Sequence, residues 1–455
     1  MAHNMHAEPS FRQAREERWT LSRRDVRLGA EWARWLYYLI LVEFVAAPIL
    51  TLVHDTYRTE VASFSLPQLI RGLLLGAIVL CLTQVSIPAR WGLQLFVPVL
   101  LMALYSAVLT VVAAAPKENA IATFRMVYPC LVGIAAYIVL CCGFLSEAAI
   151  QRLGWYWLLS YFISQLLALR TGQMAYKSEH AAAGLGSSPS AADGLILLVP
   201  FFLLARRWRP RDLLAIGIAL LAASLTMRRT AMLGVLAATL AGAMVRALRR
   251  GSGFRAKLAG VLLPAAIYFG FTYALTTTGW GTDFSKRLAD MDLRQAGTGA
   301  GRTVVWQSGI DHLLHRGLLR NIVGEGEGGY AEAMVRRIGF SVAAHNGWLT
   351  LAAAYGLIGL VLYLTFLRRL GSIMLRARRL NDSTFEVLVS VLAGIVCAEA
   401  TQGFLLSPSA VPTYVLLGLV LAKNSRAVLR RSAQSMARTA TFRGLMQADL
   451  KRPAG

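Results

Sequence analysis

His345 stands directly before a long apolar stretch, in the segment HNGWLTLAAAYGLIGL that it opens. Asn346 is a residue type that caps helices, so a helix is predicted to begin at Gly347. The start of a helix carries partial positive charge, which favours an anion such as phosphate and disfavours a protonated imidazole. His345 is therefore a candidate base next to an anion site. A structural histidine satisfied by neighbouring backbone groups is the alternative.

Three arginines are candidates for binding that anion. Arg228 and Arg229 lie in a very short turn before an apolar stretch, where a guanidinium group needs a partner. A guanidinium group can form bidentate hydrogen bonds with phosphate oxygens. Contact with lipid headgroups is the alternative. Arg302 lies in the segment GRTVVWQSGIDHLL, which begins at Gly301 and whose apolar spacing predicts an amphipathic helix beside a membrane.

Two weaker signals follow from short motifs. Asp290 and Asp292 form an acid-x-acid triplet of the kind that some membrane glycosyltransferases use for a divalent metal, but neighbouring cations can neutralise it. No zinc-like spacing of Cys and His is present, and neither a metal nor another cofactor is predicted. The run GEGEGG from Gly324 to Gly329 is interpreted as a flexible connector, with a cradle of backbone amides as the alternative.

The composition indicates what must position these residues. Of 455 residues, 56% are hydrophobic and 16% are charged, which is unlike an ordinary soluble domain. The apolar residues form blocks of roughly 17 to 25, long enough to cross a bilayer. The sequence predicts an all-α polytopic membrane protein with about twelve transmembrane helices, because lipid requires the backbone to be satisfied internally. All five cysteines fall within apolar blocks, so no disulfide framework is expected.

The net charge of +23 follows largely from membrane topology. Most of the 47 Lys and Arg lie in the two tails and in the connections on one side, which the positive-inside rule assigns to the cytoplasm together with both termini. A nucleic-acid partner is therefore not predicted. The predicted regions are a cytoplasmic tail (1–34), spans one to nine (35–275), a large outer loop with amphipathic helices (276–346), spans ten to twelve (347–422) and a basic cytoplasmic tail (423–455).

The outer loop contains Lys and Arg residues on the side of the membrane where the positive-inside rule disfavours them. A connection of this length usually has a function. A solvated loop balanced by its own acidic residues is the alternative for most of these cations. They are Lys286, Arg287, Arg294, Arg302, Arg316, Arg320, Arg336 and Arg337.

The pattern His345-Asn346, nine residues, then Gly356-x-x-Gly359 resembles the signature of the bacterial O-antigen ligases. These ligases belong to a larger group with the O-antigen polymerases and the O-linking oligosaccharyltransferases. Arg229 resembles the arginine that heads a span in this group, although Arg228 stands where many members have Ser. Arg302 and Trp306 resemble the group's Arg-x-x-x-Trp motif in its large periplasmic loop.

The resemblance implies an enzyme of lipopolysaccharide biosynthesis in the bacterial inner membrane, with its active site on the periplasmic face. It would move O-antigen from undecaprenyl pyrophosphate to the lipid A core oligosaccharide, with inversion and without metal. His345 would be the catalytic base, and the pyrophosphate would be bound by Arg229, Arg302, Arg228 and Asn346. The expected partners are therefore the lipid-linked donor, the core acceptor and membrane lipid.

Three other functions stay open from the sequence. A polymerase of the same group would lengthen the glycan on its carrier, and an O-linking oligosaccharyltransferase would glycosylate a protein. A transporter or lipid flippase would use polar residues deep in the spans, for which the few candidates are Glu43, Gln84 and Glu399.

Overall fold

The computed structural model describes residues 23–57, 60–61, 64–85, 92–112, 116–141, 147–170, 195–203, 210–225, 229–248, 302–339, 346–379, 383–401 and 410–425, with single positions between 254 and 273. These residues are almost entirely helical, as the sequence predicts. One exception is a small hairpin, in which strands β1 (Glu60–Val61) and β2 (Phe64–Ser65) pair antiparallel. It lies in the connection after the first helix and leaves the all-α character of the fold unchanged.

The helices of the N-terminal half follow the predicted apolar blocks. They are α1 (Arg23–Tyr57), α2 (Leu66–Gln84), α3 (Val97–Val112), α4 (Pro116–Cys141), α5 (Glu147–Arg170), the short α6 (Val199–Leu203) and α7 (Pro210–Leu225).

The C-terminal half adds a group of shorter helices between two sets of long ones. These helices are α8 (Arg229–Leu248), α9 (Arg302–His315), α10 (Leu318–Val323), α11 (Gly326–Ile338), α12 (Gly347–Arg379), α13 (Ser383–Thr401) and α14, which spans residues 411–425. The amphipathic stretch predicted after Gly301 is α9.

Two of the described helices, Pro116–Cys141 and Gly347–Arg378, are both long and apolar enough to cross a membrane. Shorter apolar helices occur at Gln68–Gln84, Val97–Val111 and Leu233–Leu248. Large apolar side chains also cover the outer surface of several helices, as a lipid-facing surface would require. Examples are Leu73 and Leu80 on α2, Leu104 and Val111 on α3, and Leu357, Val361 and Leu364 on α12. The count of about twelve spans and the side on which each terminus lies stay predictions.

The bundle interior forms where small residues let helix backbones meet. A Cβ atom on Gly133 of α4 would lie 2.6 Å from the carbonyl oxygen of Tyr414 in α14. A Cβ atom on Gly418 would in turn overlap the carbonyl oxygen of Gly133. Close contact of this kind is typical of helices packed within a membrane. It places α14 directly against α4, whose residues from Val132 to Val139 are almost completely shielded from solvent.

Helices α8 and α13 pack along each other in opposite directions. The hydroxyl of Ser390 donates a hydrogen bond to the carbonyl oxygen of Ala238 (2.6 Å). Further along α8, Arg246 pairs with Glu386, with 3.1 Å between Nε and Oε2. As residue numbers rise in α8 they fall in α13, so the start of α8 lies at the end of the bundle where α13 finishes.

Helix α12 is broken at Gly356, which the sequence did not predict. Gly356 has φ 61° and ψ −160°, values outside the helical region. The break frees carbonyl groups in the preceding turn, and the helices of the predicted loop supply their partners. The guanidinium of Arg316 donates to the carbonyl oxygens of Ala352 (2.8 Å) and Ala353, and the backbone N–H of Glu325 donates to Ala354 (3.1 Å).

The end of α10 fills the gap at this break. A Cβ atom on Gly356 would lie 2.5 Å from the carbonyl oxygen of Ile322 and 2.7 Å from the backbone nitrogen of Gly324. A Cβ atom on Gly324, which has φ 84°, would overlap the carbonyl oxygen of Ala354. Both positions therefore require glycine, because two backbones meet there. The GEGEGG run is a tight two-residue junction after α10 followed by the first turn of α11, and its interpretation as a flexible connector is wrong.

Replacing Gly356 with Ala should loosen the contact between α10 and α12. A positive φ strains a non-glycine residue by about 1 to 3 kcal/mol, and the added Cβ atom meets backbone that cannot rotate away. We expect faster hydrogen exchange at the amides of Gly324 and Glu325, measured by mass spectrometry on the detergent-purified protein. Gly371→Ala, in the same helix with nothing within 4 Å of its Cβ atom, is the control. Equal exchange in the two variants would contradict this account.

Candidate active site

Asn346 caps α12, as the sequence predicts. Its side-chain oxygen accepts a hydrogen bond from the backbone N–H of Leu349 (3.1 Å), and its backbone carbonyl accepts from the N–H of Thr350 (3.0 Å). The cap satisfies an amide that would otherwise lack a partner in the first turn. Because Oδ1 is engaged in the cap, Nδ2 is the atom of this side chain that can donate to another group.

A buried carboxylate lies against the start of α12. Glu399, near the end of α13, is 1% exposed, and its carboxylate occupies the space that a Cβ atom on Gly347 would need. A negative charge is favoured at the start of a helix. A carboxyl group of the protein therefore occupies the position where the sequence predicts a phosphate.

Three helix starts lie at one end of the bundle. The antiparallel packing of α8 and α13 places Arg229, the first residue of α8, at the end where Glu399 meets Gly347. Helix α9 lies along the first turns of α12, since a Cβ atom on Gly309 would lie 2.9 Å from Leu349. Arg302 begins α9 about two turns before Gly309. The backbones that carry Arg229, Arg302 and Asn346 thus converge on the same end.

Some predicted site residues lie outside the described residues. They are His345 and Arg228, and also Asp290 and Asp292 of the acid-x-acid triplet. For Arg229 and Arg302 the structure describes the helix position. Among the described residues, no group of three or more His, Cys, Asp or Glu side chains could hold a metal ion.

Residues 214–364 match the family model described as O-Antigen ligase. Of the 455 residues, this segment is similar to the O-antigen ligases. The resemblance predicted from His345, Arg229 and Arg302 is thereby confirmed, since the matched residues include all three. No curated protein matches the chain. Together with the apolar helices, the match indicates a membrane protein and supports glycosyltransferase activity of the O-antigen ligase or polymerase type.

Both glycines of the Gly-x-x-Gly signature lie in the matched segment 214–364. Each position requires glycine for a different structural reason. Gly356 provides the break in α12 that receives the end of α10. A Cβ atom on Gly359 would overlap the Cβ atom of Tyr355, so glycine lets Tyr355 fold across the break. The spacing of the signature thus fixes how far the break lies from the capped start of α12.

Glu325 joins α9, α10 and α12 inside this segment. Its carboxylate lies 3.1 Å from Nε2 of His312 and 3.6 Å from Nη1 of Arg320. Burial opposes ionisation, but the hydrogen bond from His312 and the charges of His312, Arg316 and Arg320 hold the pKa of Glu325 below its ordinary value. Arg336 similarly pairs with Glu332 at 3.7 Å. The interpretation that the loop's acids balance its cations therefore holds for Arg320 and Arg336.

A second polar cluster fastens α11 to the bundle. The hydroxyl of Tyr355 donates to Glu327 (3.2 Å), and the side-chain oxygen of Asn119 in α4 accepts from the backbone N–H of Gly328 (3.0 Å). Burial raises the pKa of Glu327, while the charge of Arg125 and the bond from Tyr355 partly offset the rise. One backbone amide of the glycine run, that of Gly328, therefore binds Asn119.

Sequence reasoning missed the roles of Arg316, Glu325 and Glu399. Glu399 was considered only as a deep polar residue for a transporter. An ionisable residue within an apolar span is nevertheless a signal for a functional site, and that signal was available in the sequence. Arg316 and Glu325 gave no comparable local signal. Their partners are carbonyl groups of α12 that are available only because α12 is broken at Gly356.

Replacing Gly347 with Ala should displace either Glu399 or the start of α12. Overpacking of this kind costs about 1 to 3 kcal/mol. We expect a lower thermal midpoint for Gly347→Ala in detergent, and less than additive loss in the double variant Gly347→Ala/Glu399→Ala, because removal of the carboxylate makes room for the methyl group. Gly371→Ala should leave the midpoint unchanged or raise it. Strict additivity of the two losses would show that the two residues do not compete for space.

Proposed function

We propose that this protein transfers O-antigen polysaccharide from undecaprenyl pyrophosphate to a sugar of the lipid A core. The reaction takes place on the periplasmic face of the bacterial inner membrane. The observation that carries this proposal is the O-antigen ligase match over the residues whose helix starts converge at one end of the bundle. The fold, the signature spacing and the loop packed on α12 all support the same site.

The donor binds through its phosphates at the converging helix starts. Arg229 and Arg302 fork onto the pyrophosphate oxygens, and the starts of α8 and α9 add their partial positive charges. Because Glu399 already fills the space beside Gly347, it leaves little room for a phosphate at the start of α12. The phosphates therefore bind nearer to α8 and α9. The residues directly before α12 contribute His345 and the side-chain amide nitrogen of Asn346.

The transfer is a single displacement. The oxygen of an acceptor hydroxyl forms a bond to the anomeric carbon of the donor sugar, and the bond from that carbon to the pyrophosphate oxygen breaks. His345 takes the hydroxyl proton, and undecaprenyl pyrophosphate leaves with the bonding electron pair. The arginines stabilise the negative charge that accumulates on the leaving group. One displacement inverts the anomeric centre.

The contacts of Glu43 in the bundle interior favour a glycosyltransferase over a transporter. Glu43 pairs with Arg71 (3.2 Å between Nε and Oε1) and accepts a hydrogen bond from the hydroxyl of Tyr128 (2.8 Å). These contacts join α1, α2 and α4, so this carboxylate has a structural role. Gln84, the second candidate, is exposed and bonds to the adjacent Thr83.

His345→Ala and Arg302→Ala should abolish capped lipopolysaccharide while the protein is still expressed and inserted. Loss of a general base costs about 10²- to 10⁴-fold in rate, and loss of one charge-stabilising donor about 10²- to 10³-fold. The measurement is an electrophoretic profile of lipopolysaccharide from a deletion strain complemented with each variant. Arg336→Ala, in an exposed pair of the same region, is the matched control and should retain capping.

Normal capping in either variant would remove that residue from the mechanism. The deletion strain itself separates the related activities. A ligase deletion accumulates long carrier-linked polymer, a polymerase deletion leaves single repeat units on the core, and an oligosaccharyltransferase deletion leaves a protein unglycosylated.

Purified protein reconstituted with carrier-linked glycan and core acceptor should be as active in a strong chelator as in buffer. Arginines and helix starts supply the positive charge that a divalent ion would otherwise bring. The measurement is the rate of product formation with and without the chelator. Activity that is lost on chelation and restored by one divalent ion would instead bring Asp290 and Asp292 into the site.

A further inference from the structure

Helices α9 and α10 expose an apolar surface that faces away from the bundle. Leu314 is 72% exposed, Leu318 77% and Leu319 74%, and Ile310 and Ile322 extend the same surface along the two helices. In water such a cluster would be costly. We call these five residues the α9–α10 apolar surface.

Several polar groups at these helices have partners within the protein. His312 of α9 and Glu325, which follows α10, are bonded to each other, and Arg316 between the two helices reaches the backbone of α12. In α10 and at its end, the backbone N–H of Asn321 donates to the carbonyl oxygen of Gly317 (3.1 Å) and that of Gly324 donates to the carbonyl oxygen of Arg320 (2.7 Å). Bonded backbone groups and an apolar outer face suit contact with lipid.

The attachment to α12 shows how deep this surface lies. The end of α10 abuts Gly356, nine residues after the start of α12 at Gly347, which corresponds to about 13 Å of helix rise. The apolar part of α12 continues as far as Leu367, before Arg368. A hydrocarbon core is about 30 Å thick. The end of α10 therefore lies beside the apolar part of α12, well past the start of that helix.

Exposed apolar side chains also follow on α12. Directly after the break, Leu357 is 55% exposed, and Val361 and Leu364 follow on the same side. Arg320 is exposed beside Leu319 and has a side chain long enough to reach phosphate headgroups. Asp311 and His315, which lie on the other exposed side of α9, are suited to the water boundary.

We propose that α9 and α10 insert the α9–α10 apolar surface into the outer leaflet of the bilayer. The occupant of this surface is bulk membrane lipid, with α9 along the boundary and α10 below it. The inference requires that α12 crosses the membrane and does not depend on the glycosyl transfer. The loop is then anchored in the bilayer at α10, beside the part of α12 that follows Gly347.

Spin labels test this placement in the full-length protein reconstituted into phosphatidylcholine and phosphatidylglycerol vesicles. The label is attached at Leu319→Cys, with the five native cysteines replaced by alanine. The matched control is Arg336→Cys on the exposed face of α11. We expect the label at 319 to relax faster with oxygen than with a water-soluble nickel chelate, and the label at 336 to show the reverse.

Two results would overturn the proposal. One is equal access of the nickel chelate to the labels at 319 and 336, which would place the surface in water. The other is a label at 319 that neither reagent reaches, which would mean that protein covers the surface. A photoreactive phenylalanine analogue at position 319, with the native cysteines retained, gives a second measurement. Crosslinks to lipid are expected, and crosslinks to protein alone would contradict the proposal.

Discussion

The fold around the site depends on how the freed carbonyl groups of a broken helix find hydrogen-bond donors. Ala352, Ala353 and Ala354 lose their partners at the Gly356 break and bond instead to the Arg316 guanidinium and the Glu325 amide. Unpaired carbonyls in a water-poor setting would cost about 1 to 3 kcal/mol each. The break and the loop helices therefore stabilise each other, and the start of α12 is held in place through the same contacts.

Apolar periodicity and capping predicted much of the fold, because both act over short distances in the chain. An amphipathic helix in the stretch from Gly301 and the start of α12 at Gly347 were predicted, and both are present. The break at Gly356 was not predicted. Its donors come from Arg316 and Glu325, which are remote from it in sequence, and glycine inside an apolar stretch is compatible with an unbroken helix.

The candidate site was only partly predictable for a related reason. Residue types at helix starts indicated His345, Arg229 and Arg302, since capping and helix charge can be read locally. The carboxylate of Glu399 reaches the same end through the packing of α13 on α12, and no local pattern reports such a contact. Similarly, the balance of charges around Glu325 depends on His312 of α9, Arg320 of α10 and Arg316 between these helices.

The contact between α4 and α14 has a consequence for biogenesis. Gly133 and Gly418 lie far apart in the sequence, yet their backbones touch. The groove that α14 fills therefore stays open until the ribosome has translated the chain as far as Gly418. Until then, the shielded face of α4 requires a temporary cover. Closure of this part of the bundle interior thus occurs only after α14 has been synthesised.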